Sequence, residues 1–433
     1  MKNHTILLLL SLPFLLVSYS ALAQDSLANG QSTNPWKVKT AGEVRVQYFH
    51  YDHREWVKGD SQDFLLTRFL LNGKLNYTNK HSLFVELQSG LANGLNEPTS
   101  PVEENILDLH QAYISSTLLK THKSQLELKL GRQELSYGSQ RLISVREGPN
   151  NRHSFDAAKI KFSKEHFSID AFAGTYVQAK KGFFNDPFLD DSQTIWSLYA
   201  VQKAIPIIHN ADLYYIGIHR DKEDFDRNFH KTNKHMLGLR IWKDDGAFQY
   251  DFEAVGQMGK TDEEKDIQGS TVSANLSYQW QDAPLKPTVG IKAQYISGDH
   301  DSTDNKLNTF DPVYPKGAYF GLNSELGPRN LTNYHLYTGI QASKKLSLSL
   351  EYMQFWRSSL QDGIYAVSNQ VIVPASQIEA SSIGSQWQFI PEYQINEKLY
   401  IRSDLTYFTA GAFLKEAGRR NYFSASGTIQ YKF

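Results

Sequence analysis

Four arginines fall within one short stretch of the chain, LGRQELSYGSQRLISVREGPNNRHSFD at 130–156. Residues 120–165 contain ten lysines and arginines but only five aspartates and glutamates, which makes this the most basic region of the sequence. Because the guanidinium group is a rigid fork of N–H donors that suits carboxylates and phosphates, these arginines would select anions if the stretch folded into a narrow passage. In the alternative interpretation the stretch is a solvated loop whose arginines pair with nearby acids. The arginines are Arg132, Arg141, Arg146 and Arg152, and the acids are Glu134, Glu147 and Asp156.

No other motif indicates catalysis or a bound cofactor. The chain has no cysteine, which excludes a thiolate metal site and a cysteine nucleophile. Its histidines show no HExxH spacing, and there is neither a P-loop nor a GxSxG motif. The run that starts at Asp299 resembles a calcium loop, but Asp304 and Phe310 stand where glycine and glutamate are needed. We therefore predict no metal, no cofactor and no enzymatic activity.

The first residues have the features of a secretory signal peptide. An apolar stretch at 6–17 follows Lys2, and Ala21-Leu22-Ala23 offers the small-x-small pattern of a cleavage site. We predict that residues 1–23 are removed and that residues 24–40 form a polar lead-in. No later apolar run approaches the ~18 residues that a membrane helix needs. The net charge of -1 argues against a nucleic-acid-binding protein.

Alternation of apolar and polar residues with a period of two dominates the rest of the chain. From Phe423 to Phe433, every second residue is apolar or glycine and those between are polar. About 18 such segments fit between residues 41 and 433, with short and long connections in turn, as in barrels that span the outer membrane. The sequence therefore predicts an all-β fold, a transmembrane antiparallel β-barrel with short periplasmic turns and long extracellular loops. The predicted long loops are 89–104, 134–154, 177–192, 220–233, 299–330 and 358–381.

The final strand closes on Phe433, and a terminal aromatic residue resembles the signal by which outer-membrane proteins are recognised for insertion. We therefore expect export to the outer membrane of a Gram-negative cell. The expected partners are membrane lipid, which meets one face of each strand, and the barrel-assembly machinery, which would read the C-terminal strand.

Strand parity predicts a second set of cations, which face the inside of the barrel. Acidic residues share the same side, so the alternative is a lumen of mutually neutralised charges. The predicted inward cations are Arg45, Arg68, Lys74, Lys129, Lys159, Lys161, Arg240, Lys292 and Arg402. The acids on that side are Glu86, Glu127, Asp251, Glu253, Glu351 and Asp404.

Several segments together resemble the alginate-export family of outer-membrane barrels. The stretch 130–156 is similar to the family's central signature, and LDLHQAYI at 107–114 to the strand before it. The segment 297–321 resembles the family's long loop, and Gly411-Ala412-Phe413-Leu414 its penultimate loop. The resemblance implies an 18-stranded monomeric barrel whose narrow, arginine-rich pore passes a polyuronate. The sequence departs from the family at Gly148, where tryptophan is common, and at His153.

Two functions follow from these expectations. In the first, the barrel is a passive conduit that exports an anionic polysaccharide similar to alginate, along pore-lining arginines and lysines. In the second, it is an uptake porin for small organic anions or oligosaccharides. An outer-membrane enzyme is a third reading, for which the sequence offers no catalytic set.

Overall fold

A computed structural model describes residues 35–96, 99–225, 228–301, 303–375 and 377–433. The predicted signal peptide and residues 24–34 of the predicted lead-in lie outside the described residues. The first strand begins at Trp36, so the end of the predicted lead-in belongs to the barrel wall.

Eighteen antiparallel strands close into a barrel, as the sequence predicts. Each strand pairs with the next, and β1 pairs with β21 to complete the ring. The wall strands are β1 (Trp36–Asp52), β2 (Gln62–Tyr77), β3 (His81–Asn93), β4 (Asn105–Lys120), β5 (Ser124–Gln133), β6 (Phe155–Lys164), β7 (Phe167–Tyr176), β8 (Gln193–Ile205), β9 (His209–Phe225), β10 (Asn228–Lys243), β11 (Phe248–Thr261), β12 (Asp266–Gln279), β13 (Thr288–Ile296), β15 (Leu331–Gln341), β16 (Leu346–Trp356), β19 (Ser382–Gln394), β20 (Leu399–Ala410) and β21 (Tyr422–Lys432).

The remaining elements are short and belong to the loops. They are β14 (Lys306–Leu307), β17 (Ile364–Tyr365), β18 (Val371–Val373), a 3-10 turn (Arg54–Trp56) and one helix (Ala412–Glu416). Among the described residues, no helix is long and apolar enough to cross a membrane.

The alternation predicted from the sequence sets the two faces of the wall. Outward side chains such as Leu198, Leu237 and Ile429 are large, apolar and about half exposed, as expected of residues that face lipid. Closure pairs the backbone groups of every wall strand, which is the condition for a sheet to cross hydrocarbon. At the seam, the backbone N–H groups of Gly42 and Phe433 each donate to the other residue's carbonyl at 3.0 Å.

All the long connections lie at one end of the barrel, which we call the loop side, and the opposite end, where the connections are short, is the turn side. The long loops 134–154 and 177–192 have the predicted bounds. The predicted loop 220–233 is wrong, because β9 continues to Phe225 and β10 begins at Asn228. Arg220, at the start of the predicted loop, and Lys234, just after its end, are instead buried in an ion-pair network inside the barrel.

The loop-side half of the barrel has a hydrophobic core of its own. Inward residues of the wall, such as Phe355 and Ile216, pack in one buried cluster with Ile143 of loop 134–154 and Phe310 of loop 297–330. The two loops also pair with each other, because the backbone N–H of Ser144 donates to the carbonyl of Tyr314 at 3.0 Å. The prediction of a uniformly polar lumen therefore holds for the turn side and fails for the loop side.

Candidate functional site in the lumen

Arginines of the wall hold loop 134–154 inside the barrel. The guanidinium of Arg45 on β1 donates to the carbonyls of Glu147 and Pro149, both at 2.7 Å. Arg68 on β2 lies directly opposite Arg45, is fully buried, and bonds Glu43 at 2.5 Å as well as the Glu147 carboxylate. These contacts place the most basic loop of the chain across the lumen, as the hypothesis of a selective passage requires.

This group of wall arginines is electrically balanced. Arg45, Arg68 and Arg152 surround the carboxylates of Glu147 and Glu43, and Arg152 also lies 3.2 Å from Glu134. Burial would raise the pKa of Glu147, but the neighbouring guanidinium groups of Arg68 and Arg152 lower it to about 2. The carboxylate is therefore ionised at any physiological pH, and the arginines here act first as anchors of the loop.

A second arginine group is also matched by acids. Arg141 of loop 134–154 lies 3.0 Å from Glu253 and 3.8 Å from Asp251. Arg240 on β10 bonds Asp251 at 2.9 Å and Asp212 at 3.1 Å. On β20, Arg402 pairs with Asp404 and Glu392 at 2.6 and 3.1 Å.

Lysines on the turn side are matched less completely. Lys129 lies opposite Lys159 across β5 and β6, and Lys74 lies opposite Lys39 across β1 and β2. The Lys129 ammonium sits 3.6 Å from the centre of the Tyr113 ring. Among the residues that the structure describes, neither Lys74 nor Lys129 has a carboxylate within ion-pair distance.

The other lysines predicted to face the lumen have acidic partners, at ion-pair distances between 3.0 and 3.8 Å. Lys159 and Lys161 share Asp170 at 3.7 and 3.8 Å. Lys292 lies 3.0 Å from Glu351. All of these predicted inward cations do lie on the lumenal face of the wall.

Lys316 is a lumenal cation that the sequence did not single out. Its backbone N–H donates to the carbonyl of Gln140, which places it where loops 134–154 and 297–330 meet. Burial, with the nearby charges of Lys292 and Arg141, lowers the pKa of its ammonium to about 8. The signal in the sequence was present, since Lys316 lies between Pro315 and Gly317 in the segment 297–321.

Arg146 faces a cavity of 670 Å³ on the loop side. Among the described residues, its guanidinium donates only to the carbonyl of Asn151, and its backbone is in the left-handed region at φ 55°. Two stacked rings, Tyr176 and Tyr314, line the same cavity with centres 4.9 Å apart. Residues held in such a backbone conformation cluster at ligand sites.

Arg132 does not line the lumen, and this prediction is corrected. It lies three residues after Lys129 on β5, so its side chain is on the opposite face of the wall from that of the lumenal Lys129. It faces Asp156 on β6, on the outer face of the wall. Its guanidinium bonds both Asp156 oxygens, at 2.8 and 3.0 Å, and the carbonyl of Pro187. The prediction was wrong because Arg132 was grouped with the arginines of loop 134–154, whereas it belongs to β5, where the alternation puts it on the outer face with Leu130.

One His–carboxylate group offers a metal-like arrangement. Ligand atoms of Glu86, His110 and Glu134 lie within 4.8 Å of one another. A β-bulge on β4 turns His110 inward beside Gln111. However, Gln111 donates to Glu86, and Arg152 lies beside Glu134. We therefore interpret the group as a hydrogen-bond network next to a positive charge and not as a metal site.

Comparison with known proteins agrees with this architecture. The family model described as alginate export matches residues 37–426. No curated protein matches the sequence. Among solved structures from Pseudomonas aeruginosa, OccK3 (OpdO) has a TM-score of 0.59 at 13% identity, covering 92% of this chain and 96% of its own.

Two further solved structures are described as complexes with small organic acids. OccK2 (OpdF) in complex with glucuronate has a TM-score of 0.57, and OpdK with vanillate has 0.58. Each is 13% identical, and the alignments cover 92% of this chain and 98% of theirs. At such identity the likeness concerns the fold alone. The family match, which spans almost the whole barrel, shows that the chain belongs to the alginate export family and is an outer-membrane channel.

Proposed function

We propose that this channel passes an anionic saccharide built of uronate units, and that it works in export as a monomer. The observation that supports this most directly is the pair of like-charged lysine contacts in the turn-side lumen, Lys129–Lys159 and Lys39–Lys74. Like charges directly opposite each other destabilise a sheet. A passing carboxylate would relieve that repulsion at each pair.

The proposed path runs from Arg146, through Lys316, to the turn-side lysines. The neighbours of each of these cations are carbonyl groups, aromatic rings or other cations more than carboxylates. Each cation is therefore free to bind a carboxylate of the passing anion and to release it again. Conduction requires weak, repeated contacts, because a single tight site would stop transport. The paired arginines around Glu147 and Asp251 would then shape the passage and hold its loops.

Blockade of single-channel current tests this proposal. Short uronate oligomers should interrupt the ion current of the wild type, and neutral oligosaccharides of equal length should do so far less. The double variant Lys74→Gln/Lys129→Gln should shorten the interruptions, whereas Lys120→Gln, at the exposed turn-side end of β4, should not. Equal blockade by charged and neutral oligomers would contradict the proposal.

The second candidate is uptake of small organic anions or oligosaccharides. It is favoured by the packed loop side, whose 670 Å³ cavity suits a few sugar units better than a continuous polymer. Diffusion of uronate oligomers into proteoliposomes separates the two functions. A sharp upper limit of a few units favours uptake, and passage of long chains favours export.

For assembly, we propose that the C-terminal strand is read by the barrel-assembly machinery. The hydrogen bonds between Phe433 and Gly42 make this strand the one that closes the ring.

A further inference from the structure

The segment Gly182–Leu189 of loop 177–192, which we call the outer flap, lies on the outside of the barrel wall. Its backbone pairs with β4, since Leu107 donates to Gly182 at 3.1 Å and Phe184 donates to Leu107 at 2.9 Å. Farther along, the N–H of Leu189 donates to Asp156 at 3.0 Å. The pairing with Leu107 adds the start of the flap to the edge of β4. Because Asp156 lies on the outer face, the contact with Leu189 holds the end of the flap over the surface that would otherwise meet lipid.

The flap covers an ion pair that the bilayer would penalise. The side chains of Arg132 and Asp156 are only 4% and 2% exposed, although both leave the wall on its outer face. A charged group exposed to hydrocarbon is energetically costly. The carbonyl of Pro187 and the N–H of Leu189 add hydrogen bonds to the pair, so the flap both shields and satisfies it.

The position of the flap corresponds to the outer edge of the hydrocarbon layer. Strands β5, β6 and β7 have ten residues each, whereas β4 has 16 and β9 has 17. A tilted strand needs about 9–11 residues to span the hydrocarbon. The wall under the flap is therefore just long enough to reach the outer boundary, where the flap begins.

The exposed surface of the flap is apolar. Phe183, Phe184, Phe188 and Leu189 are 63%, 60%, 70% and 59% exposed. Between them, the backbone N–H groups of Asn185 and Asp186 donate to Asp108, and the exposed Asn185 side chain donates to the carbonyl of Lys181. Four large apolar side chains within seven residues form a patch that water would not favour. The patch continues the lipid-facing belt of the strands below it.

We propose that the outer flap is inserted among the acyl chains of the outer leaflet, and that its phenylalanines replace the short strands as the lipid-facing surface over Arg132 and Asp156. The occupant of this patch is lipid, because the patch adjoins the face of the barrel that meets lipid and four large apolar side chains dominate its exposed surface. The inference rests on the outer-membrane location and is independent of what the channel transports.

Spin labels test the proposal, since the chain has no native cysteine to remove. Phe183→Cys and Phe188→Cys are labelled one at a time in the full-length protein in lipid bilayers. Collision rates are measured with oxygen, which concentrates in hydrocarbon, and with a water-soluble nickel chelate. Leu198→Cys, outward on β8, is the matched lipid control, and Thr303→Cys, exposed on loop 297–330, is the matched water control.

The oxygen-to-nickel ratio at positions 183 and 188 should approach that at 198 and clearly exceed that at 303. A ratio equal to that at 303 would place the flap in water and overturn the proposal. Low collision rates with both reagents would mean that protein covers the patch, which also overturns it. Thermal unfolding of each labelled protein, compared with wild type, confirms that the measurement concerns the folded barrel.

Discussion

The loop-side and turn-side halves of this barrel are lined by the same faces of the same strands, yet they are filled differently. On β16, Glu351 faces the open lumen, while Met353 and Phe355 face the buried core of the loop side. On β11, likewise, Asp251 faces the lumen and Val255 faces the buried core of the loop side. One strand face can therefore serve a wet passage at one end and a packed interior at the other.

The charged residues of the two halves contribute to different properties, those of the loop side mainly to stability and those of the turn side mainly to ion selectivity. Loop-side charges are buried and matched, as where Asp311 of loop 297–330 meets Arg220 and Lys234 at 2.7 and 2.5 Å. Turn-side cations such as Lys74 and Lys129 remain partly exposed and lie beside other cations. We expect changes to the matched loop-side charges to affect folding and loop position, and changes to the turn-side cations to affect ion preference. Arg146 is the loop-side exception, because its guanidinium bonds a carbonyl rather than a carboxylate.

The largest effect is expected at Asp311. Asp311→Ala leaves Arg220, Lys234 and Arg329 buried around the single carboxylate of Glu223, and breaking a buried pair in this way costs about 3–5 kcal/mol. Loop 297–330 should lose its anchor on β9 and β10. The expected results are a lower thermal midpoint in detergent and a larger single-channel conductance. Asp301→Ala, on an exposed part of the same loop, is the control, and equal effects of both variants would break the comparison.

The two arginines Arg132 and Arg146 should give opposite results. Arg132→Met leaves Asp156 buried without its guanidinium partner, so the barrel should lose about 3–5 kcal/mol while its ion preference is unchanged. Arg146→Gln removes hydrogen bonds to one carbonyl, for about 1–3 kcal/mol, but should weaken anion preference. Thermal unfolding and reversal potentials on both variants provide the test. A loss of anion preference in Arg132→Met would show that this residue acts on the lumen after all.

A smaller, pH-dependent effect is expected from Lys316. Its pKa of about 8, lowered by burial and by Lys292 and Arg141, means that the lumen loses this positive charge as the pH rises through 8. Because the pKa is lower in the folded than in the unfolded protein, folding stability should rise slightly over the same pH range. Anion preference should fall between pH 7 and 9 in the wild type and stay flat in Lys316→Met. A wild-type preference that does not change with pH would contradict this assignment.

The sequence predicted the wall well, because alternation is a local property of each strand. It could not predict what fills the lumen, since that depends on loops distant in sequence. One signal was overlooked: in Leu213–Ile218 of β9, apolar residues occupy both faces, which indicates burial on both sides. Parity placed Lys129 correctly, and the same alternation indicates the outer face for Arg132, a signal that was overlooked when Arg132 was grouped with the loop arginines.

Reversal potential across a bilayer under a salt gradient tests the central claim most directly. The wild type should prefer anions, and the preference should weaken at high salt, where the screening length falls to about 3 Å. Lys74→Gln/Lys129→Gln should lower the anion-to-cation permeability ratio by about twofold or more, since a charge in a confined lumen acts at reduced dielectric. The thermal midpoint should stay the same or rise, because like-charge contacts are removed. A wild-type channel that prefers cations, or a double variant with undiminished anion preference, would contradict the account.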